Sequence, residues 1–229
     1  MGNEAAREAW LERTLRQLRP NSRILDAGAG TQRYRRFCSH LRYVSQDFAA
    51  YDGRGDNSGL QTDVSDYGKL DIISDITAIP EANASFDAIM CTEVFEHVPD
   101  PLLVLSEFRR LLKPEGHLIL TAPFCSLTHM APYHFCTGFS RYWHITHLPK
   151  HGFETVEITP NGNYFEYLAQ EVYRVPYVAS RYADASPHIW EWAAMYVMQR
   201  MLLRFSRRDK NSQELLCYGY NVLAKRGRD

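Results

Sequence analysis

No stretch of this chain reaches the run of about 18 apolar residues that a helix needs to cross a bilayer, and its first residues are polar with no signal-peptide core. No Cys-x-x-Cys pair occurs. The five cysteines (Cys38, Cys91, Cys125, Cys136 and Cys217) are scattered and odd in number, which excludes a disulfide framework or zinc site and fits reduced thiols in a cytoplasmic protein. Charge of one sign is lacking too. The 26 Lys and Arg residues against 27 Asp and Glu leave a formal net charge of −1, too little for an overall field that gathers nucleic acid or an anionic membrane. Internal repeats and low-complexity segments are absent. What remains is 229 residues with 45% hydrophobic content, enough for one substantial core, and a single domain over 1–229 is expected.

The most informative stretch is Arg23-Ile24-Leu25-Asp26-Ala27-Gly28-Ala29-Gly30-Thr31, a short apolar run that breaks into an acid and two glycines. Such a run reads as a buried strand. The alternating glycines let the backbone turn tightly and approach a ligand, and the helix expected over Gln32 to Leu41 would aim its free N–H groups there. A dinucleotide fingerprint needs a third glycine where this chain has Arg33, which weakens an NAD reading. Asp26 weakens it further. A carboxylate at the mouth of the turn repels a pyrophosphate but attracts a cofactor carrying an ammonium and a sulfonium, as S-adenosylmethionine (SAM) does.

A helix over Glu4 to Arg19, with Leu11, Leu15 and Leu18 on one face and Pro20 ending it, precedes this turn. After it, Arg42 to Gln46 reads as a second strand ending at Asp47. That acid lies about 20 residues on, where doubly wound folds place a carboxylate for ribose hydroxyls. Phe48 to Lys69 is a long polar loop, followed by a third strand over Leu70 to Ile76 containing Asp75. Phe86 to Cys91 is a fourth strand. Asp100 and Pro101 announce a helix that runs through Leu112 to a Lys113-Pro114-Glu115-Gly116 turn, and His117 to Pro123 is a fifth strand.

The order and spacing over residues 22–124, from Asp26-x-Gly28-x-Gly30 through Ser74-Asp75-Ile76 to Cys91-Thr92-Glu93-Val94-Phe95-Glu96-His97-Val98-Pro99-Asp100-Pro101, resemble the class I SAM-dependent methyltransferases. Within them the match is to the type 11 family that includes the quinone-biosynthesis O-methyltransferases. The resemblance implies a doubly wound, seven-stranded, mostly parallel α/β sheet with an antiparallel C-terminal hairpin. It also implies that Asp26, Gly28, Ala29 and Gly30 cradle the methionine end of SAM, Asp47 holds the ribose, and Asp75 with Ile76 holds the adenine. The backbone from Cys91 to Glu93 would accept from the cofactor's amino group. The product would be S-adenosylhomocysteine.

Glu93, Glu96 and His97 form a Glu-x-x-Glu-His group on one short turn, a plausible spacing for a hard divalent cation with mixed oxygen and nitrogen ligands. By resemblance, some quinone and small-RNA methyltransferases use this group for a magnesium-like metal completed by a downstream histidine, here His129 or His134. Others with the same letters use the acid and histidine to shape the pocket and cap the next helix. Both readings stand at this level, and no metal site is assigned.

Residues 124–153 hold five of the nine histidines, interleaved with Tyr133, Phe135, Phe139, Tyr142 and Trp143. A segment just past a strand end should overhang the transferable methyl group, and a histidine there can take the proton of an acceptor hydroxyl. His129 and His134 are the candidate bases, since they come first after the strand. Phe153 to Ile158 and Cys217 to Lys225 fit the last two strands. Between them lie helical patterns over Tyr164 to Ser180 and His188 to Phe205. The second reads as a covering helix on the sheet, but its Trp and Met residues with basic flanks over 188–210 also suit a homodimer partner or a membrane surface.

The sequence therefore predicts a SAM-dependent methyltransferase acting on a small molecule, with oxygen as the favoured acceptor atom on a sugar, glycan precursor or lipid-linked compound. Residues 1–20 would form an N-terminal helix, 22–124 the cofactor core, 125–214 the acceptor segment and helical insertion, and 215–226 the last strand. Three alternatives stay open: an RNA methyltransferase, disfavoured by the charge balance; an NAD-type oxidoreductase; and a non-catalytic SAM-binding module.

Overall fold

A computed structural model describes residues 2–62 and 66–228. Among these described residues seven strands form one sheet: β1 (Arg23–Ala27), β2 (Arg42–Asp47), β3 (Ile72–Ile73), β4 (Phe86–Thr92), β5 (Leu112–Pro123), β6 (Phe153–Asn161) and β7 (Gly219–Arg226). Their spatial order is β3-β2-β1-β4-β5-β7-β6. The first five run parallel, and β7 lies antiparallel between β5 and β6. The order reverses direction between β1 and β4, the switch point outside which open α/β sheets hold ligands.

The strands are sorted by their alternation. In β1 and β4, Leu25, Ala27, Ile89 and Cys91 face one side of the sheet. There they join Leu105, Phe108 and Leu111 of α2 (Pro101–Leu111) in the larger core. Ile24, Ala88 and Met90 face the other side and join Trp10, Leu11 and Leu15 of α1 (Asn3–Arg16). Asp100 caps α2 as expected, accepting from the Leu102 and Leu103 amides with Pro101 in the first turn.

Several elements depart from the sequence reading. Gln32 to Leu41 is not a crossover helix. It contains one 3-10 turn, Arg33–Phe37, entered through Gln32 at φ 57°, with Arg33 and Arg36 paired to Glu8 of α1. Three arginines in five residues, with no buried side chain, leave nothing to seat a helix on the sheet. The third strand is two residues long rather than seven. Asp71 there accepts from both the backbone amide and the hydroxyl of Ser45, taking donors that a longer strand would engage.

The Lys113 to Gly116 turn lies inside β5, where Glu115 adopts φ 63° opposite a register shift between Phe86 and Ala88. The bend survives as a bulge. Arg141–Lys150 forms an unforeseen helix, α3, capped by Ser140. Tyr164–Tyr182 and Ile189–Ser206 form α4 and α5. Contrary to the covering-helix expectation, α5 packs on α4 and buries only Leu202.

Candidate functional site

The carboxyl ends of β1, β2 and β4 open into a cavity of about 610 Å³. Each of its walls derives from a strand end or from the loop that leaves it. The Asp26-to-Gly30 turn, Asp47, Asp75, Ile76, Thr92 and Glu93 line the inner side, while Tyr51, Thr62 and Tyr67 from the long loop and Met130, Tyr133 and Phe135 line the other.

The glycine turn is held by the protein itself. The amides of Gly28 and Ala29 donate to the Gln46 carbonyl (2.9 and 2.8 Å), and that of Gly30 donates to Asp47 Oδ2 at 2.9 Å. The two glycines serve different ends. A Cβ at Gly28 would meet Val94 Cγ2 at 2.5 Å, so Gly28 allows close packing against the β4 loop. A Cβ at Gly30 would meet nothing within 4 Å; the space beside it is the cavity. Both residues have positive φ, 75° and 50°. The free helical N–H groups expected after the turn do not exist, because the helix does not.

Asp26 lines the cavity at its base, 2% exposed, and accepts a short hydrogen bond from the Tyr43 hydroxyl. Burial, with the nearby Asp47 charge, lifts its carboxyl to about 7, and the Tyr43 bond pulls the other way. Asp47 is bound at both oxygens, by Gly30 and by the Ala49 amide (3.0 Å). Asp75 uses Oδ1 for the amide and hydroxyl of Thr77, 2.8 and 2.7 Å away, and Ile76 beside it is buried on the cavity wall. Cys91 is fully buried in the core, and the wall begins one residue later, at Thr92.

Glu93 takes φ 53°, a strained conformation for a side chain of this kind. Its amide donates to the Thr121 carbonyl, Oε1 accepts from the Thr121 hydroxyl at 2.9 Å, and Oε2 pairs with Arg7 of α1 at 3.1 Å. Glu93 is thereby held by Thr121 and Arg7 and is not in the group formed by Glu96, His97 and His129, although its charge helps to raise the Glu96 carboxyl. Arg7, with Tyr34 at 3.4 Å from its Nε, was not singled out in the sequence; nothing in the repeat of α1 separates it from the helix's surface arginines.

Glu96, 1% exposed, keeps Oε2 without a hydrogen-bond partner. Its Oε1 lies 3.8 Å from His97 Nε2 and 4.0 Å from His129 Nε2. Each imidazole contacts a backbone carbonyl through Nδ1, His97 that of Tyr133 at 2.5 Å and His129 that of Leu127 at 2.8 Å. With Nδ1 as donor, both Nε2 lone pairs are left facing the carboxylate.

Burial raises the Glu96 carboxyl well above its usual range, and burial with His129 lowers His97 to about 4. The three ligand atoms lie within 4.8 Å of one another, the arrangement of a three-donor cation site with open positions. Of the ligands considered from sequence, the structure assembles Glu96, His97 and His129. His134 packs beside them, its ring 5.0 Å from that of His129, with Nε2 at 3.2 Å from Ser126 Oγ. Among these histidines it is His97 that lines the cavity; His129 and His134 stand behind it.

The loop between β2 and β3 closes over this side. Leu60 bridges to His129, Gly55 and Gly59 sit against the carbonyls of Ala131 and Thr128, and Phe48 meets Tyr133 edge to face at 5.0 Å. His144 and His147, in contrast, lie on α3. His144 is buried beside Phe139, Trp143 and Tyr220, so the histidine-rich segment is split between cavity and core.

Residues 3–156 match the family model of a methyltransferase domain. A ubiquinone biosynthesis O-methyltransferase of Xanthomonas oryzae pv. oryzae (strain PXO99A) is 41% identical over 63 residues, 28% of this chain and 26% of that protein. The chain thus spans about a quarter of the length of the curated relatives it matches. The crystal structure of the YcgJ protein from Bacillus subtilis superposes with a TM-score of 0.57 at 12% identity, covering 97% of this chain and 98% of that one. Phosphoethanolamine N-methyltransferase 2 of Haemonchus contortus, in complex with SAM, gives 0.56 at 14% identity over 97% and 52% of the two chains. At such identities the two structures speak for the fold alone.

Proposed function

The chain belongs to the methyltransferase-domain family, and we propose that it transfers a methyl group from SAM to a hydroxyl oxygen of a small-molecule acceptor. One observation carries this reading: Asp26, Asp47 and Asp75, from three successive strand ends, line one cavity together with Gly28 and Gly30. Carboxylates at those ends complement a cationic methyl donor and would repel the pyrophosphate of a dinucleotide. Asp47 would hold the ribose, Asp75 and Ile76 the adenine, and Asp26 with the Gly28-to-Gly30 turn the methionine end. The peptide groups from Thr92 to Glu93 would receive its amino group. The name of the partly matching Xanthomonas protein supports an oxygen acceptor, and a lipid-linked hydroxyl is compatible with it.

The transfer is an in-line displacement. The acceptor oxygen forms a bond to the methyl carbon, the carbon–sulfur bond breaks with its electron pair going to sulfur, and the hydroxyl proton must leave. Neutral His97, held near 4, is a weak base for that proton, and His129 and His134 do not line the cavity. The orphaned, buried oxygen of Glu96 favours a divalent cation between Glu96, His97 and His129. Two imidazoles and one carboxylate suit a first-row transition ion better than magnesium. When bound, such an ion would acidify an acceptor hydroxyl. Glu96 would then be held ionised and both imidazoles neutral.

The test is incubation of the protein with methyl-labelled SAM and hydroxylated acceptors, including lipid-linked ones, with and without added divalent metal. Label recovered as an ether supports the reading. Label in RNA, or none in any fraction, contradicts it.

A further inference from the structure

The α4–α5 hairpin is apolar where it meets solvent. In α5, Ile189, Trp190, Trp192, Tyr196 and Val197 are each between 52% and 83% exposed, and Tyr173, Tyr177 and Tyr182 of α4 are at least half exposed. A helix apolar on nearly every side is ordinarily buried in a core or a bilayer. Its base is anchored to the fold: Ser206 meets Asn163 and Glu166, Gln199 donates to the Ala169 carbonyl, and Tyr218 donates to the Glu166 carbonyl. Its far end is not embedded in the core.

Charge identifies what covers it. Residues 200–210 carry Arg200, Arg204, Arg207, Arg208 and Lys210 against the single acid Asp209, a local cationic excess in a chain whose other residues hold more acids than bases. Trp and Tyr side chains favour the interface between water and lipid, and a cluster of Arg and Lys nearby is what anionic headgroups attract. Pairing two copies along the whole of α5 would bring their Arg200 and Arg204 together with Glu191 as the single acid on each helix. No helix among the described residues is long and apolar enough to cross a membrane, so insertion would be shallow. The hairpin also touches the loop that lines the cavity. Arg181, at the end of α4, donates to the Asn57 carbonyl at 2.9 Å, on the loop whose Tyr51, Thr62 and Tyr67 line it.

We propose that the α4–α5 hairpin docks this protein on the surface of an anionic lipid bilayer, Ile189, Trp190, Trp192 and Tyr196 entering the headgroup layer and the Arg200-to-Lys210 cluster meeting lipid phosphates. This proposal stands whatever reaction the cavity performs. Its test is co-sedimentation of the full chain with phosphatidylcholine vesicles, with and without about one-third phosphatidylglycerol, alongside tryptophan emission and sedimentation velocity.

The expected result is binding to the anionic vesicles with a blue shift, at least about tenfold weaker on phosphatidylcholine alone and reversed by high salt. The exposed-site variant Trp190→Glu/Trp192→Glu should lose binding with an unchanged circular dichroism spectrum. Arg204→Glu/Arg207→Glu/Arg208→Glu, which leaves the aromatics in place, should lose it as well. Wild-type protein that stays in solution with both vesicles overturns the proposal. So does vesicle binding unaltered in both variants, or a stable dimer that Trp190→Glu/Trp192→Glu dissociates.

Discussion

The Tyr43 hydroxyl donates to the carboxylate of Asp26 from two residues before Ser45, the residue of β2 that pairs with Asp26 across the sheet. This bond partly offsets the burial that lifts the Asp26 carboxyl to about 7, and so sets the pH at which the base of the cavity becomes negative. Below that pH Asp26 is protonated and offers no charge to a cationic cofactor; above it the carboxylate is ionised. SAM affinity should therefore rise about tenfold or more from pH 5.5 to 8 and then level off, since each pKa unit is a factor of ten. Titration calorimetry at several pH values reads this directly. Tyr43→Phe should move the midpoint upward, and Asp26→Asn should flatten the profile at the weak-binding level.

Stability should run the opposite way. A carboxyl raised in the folded state binds its proton more tightly there than in the unfolded chain, so its contribution is full below about pH 4 and lost as pH rises through about 7. Asp26→Asn removes this term. The variant's melting temperature relative to wild type should therefore be higher at pH 8 than at pH 5, as thermal melts at the two values would show.

Gly28 and Gly30 should fail differently when a methyl group is added. Gly28→Ala drives its Cβ into Val94 and should destabilise the fold by about 2–3 kcal/mol, from overpacking and positive φ together. Gly30→Ala meets open space and bears only the backbone cost of about 1–2 kcal/mol, yet its methyl projects where the cofactor is proposed to lie. Denaturant unfolding should show the larger loss for Gly28→Ala, and at Gly30 the loss of SAM affinity should exceed the loss of stability.

The positions of β1, β2 and β4, the α2 cap and the acids at the strand ends were legible because each follows a local rule, such as an apolar run before a glycine turn or Asp-Pro before α2, whereas the sheet arrangement followed from the family resemblance. The 3-10 turn at Arg33–Phe37 was not, because its fate depends on ion pairs with Glu8, a residue separated from it in sequence and adjacent only in the fold. Glu93 illustrates the same limit. Spacing puts it one turn from Glu96, but its positive φ goes with bonds to Arg7 and Thr121 that engage both carboxylate oxygens and leave it out of the group at Glu96. His129 could be named from sequence as a partner of His97, but not preferred to His134; the bridge from Leu60 that positions it has no local signature.

That division of the acids yields a prediction about metal. Glu96→Gln and His129→Ala should weaken binding of a divalent transition ion by about 100-fold or more, given that even outer-shell changes cost 10–100-fold. Glu93→Gln should leave it nearly intact. Because Glu96 must ionise for the ion to bind, affinity should increase with pH. Competition with a chromophoric chelator measures all three variants, and equal losses in Glu93→Gln and Glu96→Gln would contradict the assignment.

The central claim, that acids at the carboxyl ends of β1 and β2 and beyond β3 receive an adenosyl cofactor, is tested most directly by titrating S-adenosylhomocysteine and NAD⁺ separately into the wild-type protein. Saturable one-to-one binding of S-adenosylhomocysteine, abolished in Asp47→Ala, with no heat from NAD⁺, is the predicted result. Silence with S-adenosylhomocysteine, or tighter binding of NAD⁺, would contradict it.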